Sequence, residues 1–539
     1  MQKRLCGREQ EFGMKVLPPF IPSAISTNLS TESRGEAEGS PEQQPSSPEQ
    51  QIKNQFETWC NAIINEVIKE IGRQFGEGGA VETTMPFFWL VNGGRVYPDQ
   101  SHLEFAGAEG LAGSFDGVLQ EKASELIISA AAEKMVQFGL EELSFYKNNT
   151  GPVDENQFFL ETTYGSHHNY SYQEKHEPMV FYLLTNFLPA ALPFSGNGHI
   201  QRMASGKFIY ALSERALYVE LADGKITASQ TTEHRTLLND KNEPFMDPST
   251  GLKRLHLISR DATRCELQTW LVDAMTHFVL RLAEEDWKLP YYYRIVDPVA
   301  EWHRINCCME QGLDYKIKCF GHDLDFAYVD IWDYNRLFLD YAKQLNPLSD
   351  MEKMALEEWA RVLELLKAKA LDELVGELDW VTKRFWLKTE MKQFGFGIDS
   401  VQAYVLCREY HNISPSPQKS LFALLDEEGL IRHLVSREEI ERARFLAPAT
   451  RARSRGEFVQ MCRRYPELRE RVQNITWEGV CLRKPGVARY AEGELIAAET
   501  GYYPSQNPDV RFGEIGDPFS PQSSSLEKFY KDMGLSPAA

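Results

Sequence analysis

Apolar and polar positions recur along the chain in two rhythms, and each rhythm predicts an element. From Phe87 to Val91 five apolar residues follow one another, the pattern of a strand covered on both faces, and Asn92-Gly93-Gly94 then reads as a turn or bulge. The next segment alternates. Successive side chains of a strand point to opposite faces, so Arg95, Tyr97 and Asp99 share one polar row, with His102 and Glu104 close behind. Pro98 lacks an amide donor, which places it at an edge or a bulge. Arg4 to Gly13 repeats the alternation and sets Glu9 and Glu11 two apart on one face. The period lengthens to that of a helix from Ile52 to Phe75, where Phe56, Ile63, Ile64, Val67 and Ile71 make one stripe, and again from Gly117 to Gly139. Helical spacing returns from Ala262 to about Glu285, and from Met351 to Gln393 with a break near Gly376. Shorter strands are expected at Leu143 to Tyr146, around Tyr164 to Tyr170, and about the core Lys253 to Ile258.

Between these elements the chain changes character twice. From Thr27 to Gln51 it is Ser, Glu, Gln, Pro and Gly with hardly a large side chain, so burial cannot offset the entropy of ordering it, and a mobile insert is expected at 27–51. From about Ser414 the pattern turns to short, arginine-rich helices that include Thr450 to Gly456. The expected organisation is a catalytic domain over 1–410, a small C-terminal domain over 411–490, and a loose tail over 491–539 that holds a last helix at Leu526 to Met533.

Composition narrows the class. With 539 residues, 42% hydrophobic and 25% charged, the chain has the make-up of an ordinary soluble protein of about two to four domains. A net charge of -20 argues against a nucleic-acid binder, although an acidic chain can carry a local basic groove. The arginines of 440–474 are either such a groove, suited to an acidic peptide, or a solvated helical face. No run of about 18 apolar residues appears and no signal-like core precedes Glu9, which leads us to expect a cytoplasmic protein without a membrane partner. Nine cysteines with no C-x-x-C pair form neither a disulfide framework nor a zinc motif, and the vicinal Cys307 and Cys308 read as packing.

The carboxylates carry the chemistry. If their strands are neighbours, Glu9, Glu11, Asp99 and Glu104 form a dense acidic set that repels itself unless a cation is present, and an all-oxygen set is what hard Mg²⁺ prefers. Arg254 and His256 share a strand face; a single His between apolar neighbours is either a satisfied core group or a ligand. His167 and His168 point apart on a strand and are not expected to act as a ligand pair. Ser195 to His199 is glycine-rich without the spacing of a phosphate loop, so a turn is expected there.

These residues resemble a known family, the Pup ligases and depupylases, glutamine-synthetase-like enzymes that attach or remove the prokaryotic ubiquitin-like protein Pup. The family's opening G-x-E-x-E-[FY]-G is matched by Gly7 to Gly13, and its N-G-A-R-x-Y-x-D with H-P-E by Asn92 to Asp99 and His102-Leu103-Glu104. K-N-N-T stands at Lys147 to Thr150, Y-G-x-H-E-N-Y is matched by Tyr164 to Tyr170, and R-R-L-H by Lys253 to His256. D-W-V-x-K stands at Asp379 to Lys383, T-R-A-x-x-R-G at Thr450 to Gly456, and a W-D-S-V-like block at Trp477 to Val480. The matches are colinear across most of residues 3 to 482.

The resemblance implies an α+β fold: a large antiparallel sheet curved around the active site, helices on its outer face, and a small helical C-terminal domain. It implies Mg²⁺ at Glu9, Tyr97 and Glu104, with Glu11 and His256 in the same set, and Asp99 as the catalytic carboxylate. Arg95, Gly107, Trp477, Arg254, Arg451 and Arg455 are the expected ATP-binding positions. Phosphoryl transfer asks for such groups, because cations neutralise the moving charge and a carboxylate can take a proton from the acceptor. The chain also departs from the family. Gly107 stands for a threonine and His168 for a glutamate, while Asp99 and Glu104 keep the depupylase spacing without the long insert that a depupylase carries between its first helix and the motif strand. A divergent member is expected, one that uses Mg-ATP to activate a carboxylate as an acyl phosphate for amide or isopeptide formation or for hydrolysis. Its partners would be ATP, an unidentified carboxylate or other acceptor, and a Pup-like small protein. A kinase acting on a small acceptor and an inactive ATP-binding module are the alternatives; retention of the key side chains counts against the second.

Overall fold

The computed structural model describes residues 3–16, 48–78, 86–99, 102–137, 142–150, 164–224, 235–239, 250–321, 325–482, 508–514 and 517–535. Residues 27–47 of the expected insert lie outside the described residues, and 48–51 already belong to the first helix.

The strands in chain order are β1 (Leu5–Val16), β2 (Gly76–Gly78), β3 (Phe88–Leu90), β4 (Arg95–Asp99), β5 (His102–Ala106), β6 (Gly110–Leu111), β7 (Leu143–Tyr146) and β8 (Ser166–Gln173). They continue with the hairpin β9 (His199–Arg202) and β10 (Phe208–Ala211), and with β11 (Val219–Gly224), β12 (Arg235–Asn239) and β13 (Leu252–Leu257). Among the described residues one sheet of eleven strands runs β11-β12-β13-β8-β1-β5-β4-β3-β2, with β6 and β7 also on β1. Its pairs are antiparallel except β11 with β12. The long central β1 thus has four partners, and its alternation is visible in burial: Arg8, Gln10 and Phe12 are buried, whereas Glu9 and Glu11 on the other face are partly exposed.

Helices pack on the face of the sheet that buries Arg8, Gln10 and Phe12. α1 (Pro48–Phe75) and α2 (Asp116–Gln137) bury Ile63, Ile64, Val67, Ile71, Ile127, Ile128 and Ala131 against Phe12, Val96, Leu103 and Phe105 of the sheet. The side chain of Phe56, expected in that stripe, lies outside the described residues. α3 (Glu177–Ala190) and α4 (Glu266–Glu284) cover β8 and β13 through Tyr170, Tyr172, Leu255 and Leu257. At about 1.5–3 kcal/mol for each fully buried large apolar side chain, this layer fixes which face of β1 stays open. The strand at 252 ends at Leu257, and Ser259 to Cys265 form a buried connection before α4 rather than the start of the helix.

The helical stretch from Met351 breaks where expected. α5 (Asp350–Lys367) ends, Gly376 turns with φ +79°, and α6 (Asp379–Phe394) follows. A Cβ at Gly376 would lie 1.7 Å from the Leu430 carbonyl oxygen, so no side chain fits. A second hairpin, β14 (Lys316–Phe320) with β15 (Phe326–Asp330), stands apart from the main sheet.

At the C-terminus α7 (Arg451–Arg464) carries a three-stranded sheet of β16 (Val472–Ile475), β17 (Gly479–Leu482) and β18 (Val510–Arg511), followed by α8 (Ser524–Asp532). The sequence reading includes none of these strands. β18 and α8 lie in the expected loose tail, yet Val510, Phe512, Leu526, Phe529 and Tyr530 share one apolar cluster with Phe458, Val459 and Val480, so this part of the tail is packed. Trp89 joins the same cluster, and its Nε1 donates to the Ile475 carbonyl at 2.9 Å. Nine cysteines are free, and no helix of the described residues is long and apolar enough to cross a membrane.

Candidate active site

Cross-strand register assembles the site on the open face of the sheet. Tyr97 of β4 stands opposite Glu104 of β5, and Glu104 opposite Glu11 of β1, so these three form one row across the strands. In the next row Arg95 faces Ala106, Ala106 faces Glu9, and Glu9 faces His167 of β8. Asp99 pairs with His102, and β13 brings Arg254 and His256 beside β8. Pro98 faces β5 alone, because β3 reaches only to Val96; it sits where the missing amide costs no ladder bond.

Two groups of donors result. Glu11, Asp99 and Glu104 present carboxylate oxygens within 4.8 Å of one another, and Glu9, His167 and His256 present one oxygen and two ring nitrogens within the same distance. Glu9 lies 3.4 Å from His167 Nδ1, 3.6 Å from the Arg254 guanidinium and 3.7 Å from His256 Nε2. Burial pushes its carboxyl up, but these neighbours outweigh burial and hold it well below the usual range. Glu11 accepts the Gly165 N–H at 2.6 Å and lies 3.5 Å from His102 Nδ1; against burial, these bonds and the His167 charge hold it at about 2. Glu104 takes the opposite course: burial, then the charges of Glu9, Glu11 and Asp99, push it well above the usual range. The Tyr97 hydroxyl donates to Glu104 at 2.8 Å, and burial with the Glu104 and Glu9 charges keeps the phenol protonated. An all-oxygen set so crowded that like charges drive one of its carboxyls up fits a hard divalent cation, whose charge would offset that repulsion.

The side of the cleft beyond Arg95 is aromatic. The guanidinium carbon of Arg95 lies 4.6 Å from the ring centres of Phe87 and Tyr97 and 5.6 Å from that of Trp89. Trp477, partly exposed, meets Trp89 edge to face at 4.8 Å. Arg455 lies over Trp477 at 4.7 Å, yet its charge is engaged elsewhere: it pairs with Glu109, as Arg451 does at 2.7 Å, and it donates to the carbonyls of Gly93 and Trp477. Both arginines and Glu109 are at most 3% exposed, and against burial the two charges hold Glu109 at about 2. Arg451 and Arg455 therefore brace α7 against the loop after β5. Elsewhere in the region Arg444 pairs with Glu441, Arg453 donates to the Ala447 carbonyl, and Arg463 donates to the carbonyls of Gly72, Arg73 and Gly76 at the end of α1 and into β2. Gly107 lies in the loop after β5, and a Cβ there would meet its nearest neighbours at 3.5 and 3.6 Å. A side chain fits at 107, so the glycine is not imposed by packing.

Sequence reasoning places Glu9, Glu11, Arg95, Tyr97, Asp99, Glu104, Arg254 and His256 on one surface, and they are there. It misses His167, whose ring meets that of His256 at 4.9 Å; the alternation at 166–170 sets its face apart from that of His168, but only the pairing with Glu9 gives it a place in the group. His168 turns the other way, into the core beside Asp273 at 3.4 Å. Arg215 and Arg235 are missed as well. Burial, then Arg235, pull Arg215 down to about 9, while the Glu11 charge acts in its favour; Arg235 is lowered by burial and likewise supported by Glu11. The K-N-N-T loop, read as polar donors, turns inward: Lys147 is buried and pairs with Glu121 and Glu125.

Comparison with known proteins gives the family and the fold. The model of the family described as Pup-ligase protein matches residues 4–481. The Pup--protein ligase of Acidimicrobium ferrooxidans is 29% identical over 385 residues, covering 69% of this chain and 79% of the relative. The Pup deamidase/depupylase of Mycolicibacterium smegmatis is also 29% identical, over 379 residues, covering 69% and 71%. Among solved structures, the ligase PafA in complex with the prokaryotic ubiquitin-like protein Pup superposes with a TM-score of 0.72 at 20% identity, over 99% of this chain and 93% of that one. PafA in complex with ADP gives 0.66 at 21% identity, over 95% and 100%. At that identity the likeness is one of fold.

Proposed function

The chain belongs to the Pup-ligase family, and on that footing we infer that it is an ATP-dependent enzyme that activates a carboxylate as an acyl phosphate, for isopeptide or amide formation or for hydrolysis. The observation that carries the reading is the row Tyr97-Glu104-Glu11 with Asp99 beside it and Arg95 at its border. It sets a surplus of carboxylates next to a guanidinium, as a site for a polyphosphate and a divalent cation requires. Glu9, Glu11, Tyr97, Glu104 and His256, with His167, would hold Mg²⁺, which when bound neutralises phosphate charge. Arg95 orients the phosphates from the aromatic side. Trp477 supplies a face for the base, and Arg254 lies on the far side of Glu9. Arg451 and Arg455 act through Glu109, by keeping Trp477 and the Gly93 turn in place.

In this reading the substrate carboxylate attacks the terminal phosphorus of ATP and ADP departs. An amine or water then attacks the acyl carbon, Asp99 takes the proton that the nucleophile sheds, and phosphate leaves. Arg235, only partly buried and supported by the Glu11 charge, suits the charge of the incoming carboxylate or the departing phosphate, whereas Arg215 is buried and donates to the carbonyls of Tyr164 and Ile258. We assign the carboxylate to a Pup-like small protein, as the relatives' names and the complex of PafA with Pup support. Residues 1–410 form the catalytic part and 411–490 its C-terminal brace, extended by the packed part of 491–539. Nine free cysteines suit the reducing cytoplasm. Incubation with Mg-ATP, a Pup-like protein and hydroxylamine should yield ADP and a hydroxamate in equal amounts. ADP formed together with a phosphorylated product stable to hydroxylamine would replace this reading by the kinase.

A further inference from the structure

The K-N-N-T loop contributes nothing to the chemistry above, yet one of its side chains leads to the site. Asn149 is fully buried and each of its polar groups is used. Its Oδ1 accepts from the Ala262 amide at 2.7 Å and from Asn197 Nδ2 at 3.2 Å, and its own amide donates to Glu214 at 2.5 Å. Towards β8 it makes a two-bond ring with one residue: Nδ2 donates to the Tyr164 carbonyl at 2.9 Å, and the Tyr164 amide donates to the Asn149 carbonyl at 3.1 Å. Arg215 donates to the same Tyr164 carbonyl at 2.9 Å. The peptide that begins at this clamped carbonyl ends in the Gly165 N–H, which donates to Glu11 Oε2 at 2.6 Å. Gly165 returns the contact, since its carbonyl accepts from the Glu11 amide at 3.0 Å. The same glycine stands between the two donor groups; a Cβ there would lie 2.5 Å from His167 Nε2 and 2.9 Å from Glu11 Oε1.

A peptide plane is rigid, so fixing its carbonyl fixes the direction of the amide on its other side. We propose that Asn149 is a positioning residue: by clamping the Tyr164-Gly165 peptide it aims the Glu11 carboxylate and so sets the affinity of the Glu11, Asp99 and Glu104 group for a divalent cation. The inference rests on the metal-binding reading of that group. Groups one bond behind the ligands commonly govern affinity by about 10- to 100-fold.

Mn²⁺ is the probe, titrated against the full chain and followed by electron paramagnetic resonance, without nucleotide or turnover. Asn149→Asp keeps volume and the Oδ1 acceptor but loses the donor to Tyr164. Folding is checked by melting, and half-occupancy of the weakened site should need about tenfold more Mn²⁺. Asn149→Ala, which removes the same donor without adding a charge, should raise the requirement in the same way and decides the matter if Asn149→Asp does not fold. Glu11→Gln is the reference. If Glu11→Gln weakens Mn²⁺ binding while folded Asn149→Asp, or in its absence Asn149→Ala, titrates as the wild type, the positioning role is overturned and the metal reading stands. If Glu11→Gln also leaves the titration unchanged, the metal reading itself fails.

Discussion

Both faces of β1 carry charge, and they differ in how that charge is balanced around Glu104. On the covered face Arg8 reaches Glu121 at 2.8 Å and Asp273 at 2.9 Å, Lys147 pairs with Glu121 and Glu125, and Arg264 lies 3.6 Å from Glu125. Each acid there is held below its usual range against burial: Glu121 by Lys147 and Arg8, Glu125 at about 2 by Arg264, Lys122 and Lys147, and Asp273 chiefly by Arg8. On the open face Glu104 has like charges on three sides and is driven up. A buried charge with its opposite beside it is structure; the same charge left among its own sign is a site awaiting a ligand. It is the surplus of like charge around Glu104 that sets the open face apart.

That contrast can be tested from the strongest effect downward. Asp99→Asn keeps volume and removes a base, so turnover should fall by about 10³ or more with the fold intact; a loss within about tenfold, roughly 1.4 kcal/mol of barrier, would take the base from Asp99. Arg8→Met leaves Glu121 and Asp273 short of a cation in the core, and denaturant titration should show a loss of about 3–5 kcal/mol. A small loss would mean that the covered face is not balanced by Arg8. Trp477→Ala should weaken ATP binding, read by calorimetry, by about 1–3 kcal/mol, the worth of an aromatic face under a base. Glu104→Gln, an isosteric change in the crowded site, should instead raise the melting temperature in chelator, by the equivalent of about 0.5–2 kcal/mol, while abolishing stabilisation by Mg²⁺. A lower melting point in chelator would put Glu104 with the balanced face.

The smallest effect belongs to a charge of intermediate exposure. His433 lies 2.7 Å from Asp426 and 3.0 Å from Glu266, and hydrogen bonds to these two raise it from 6.5 to about 10. A base raised in the folded state lends stability that is complete below its unfolded value and is lost as pH rises through the folded one, here between about 6.5 and 10. The group is half exposed, so solvent screening limits the effect to about 1 kcal/mol or less. The difference in melting temperature between wild type and His433→Gln should therefore shrink as pH is raised across that window, and a difference that grew with pH would refute the pairing.

Alternation along single strands made the cradle legible before any coordinates. Glu9 with Glu11, and Arg95, Tyr97 and Asp99, needed only the period of two, because the side-chain direction of a strand is local. What could not be read were the partners. Whether Glu9 faces His167, or Glu11 faces Glu104, depends on a register set by turns and cores far along the chain, and sequence spacing is silent on it. The same distance hid the fate of Arg451 and Arg455, whose cluster suggests an anion site until Glu109, 342 and 346 residues earlier, is found between them. The packed strand at Val510 escaped notice because two residues leave no periodicity to see.

The turn between β3 and β4 has a wider consequence. Gly93, with φ +79°, lies so close to the start of α7 that a Cβ would come within 2.8 Å of the Ala452 carbonyl, and Arg95 follows two residues later. The helix thus rests on the turn that leads into the strand carrying Arg95. On the proposed reading of Arg95, a ligand of the C-terminal region that shifted that helix would change the affinity for nucleotide, and by reciprocity nucleotide would change the affinity of that ligand by the same factor. Such coupling would need no contact between the two ligands, only the close approach of Gly93 to Ala452.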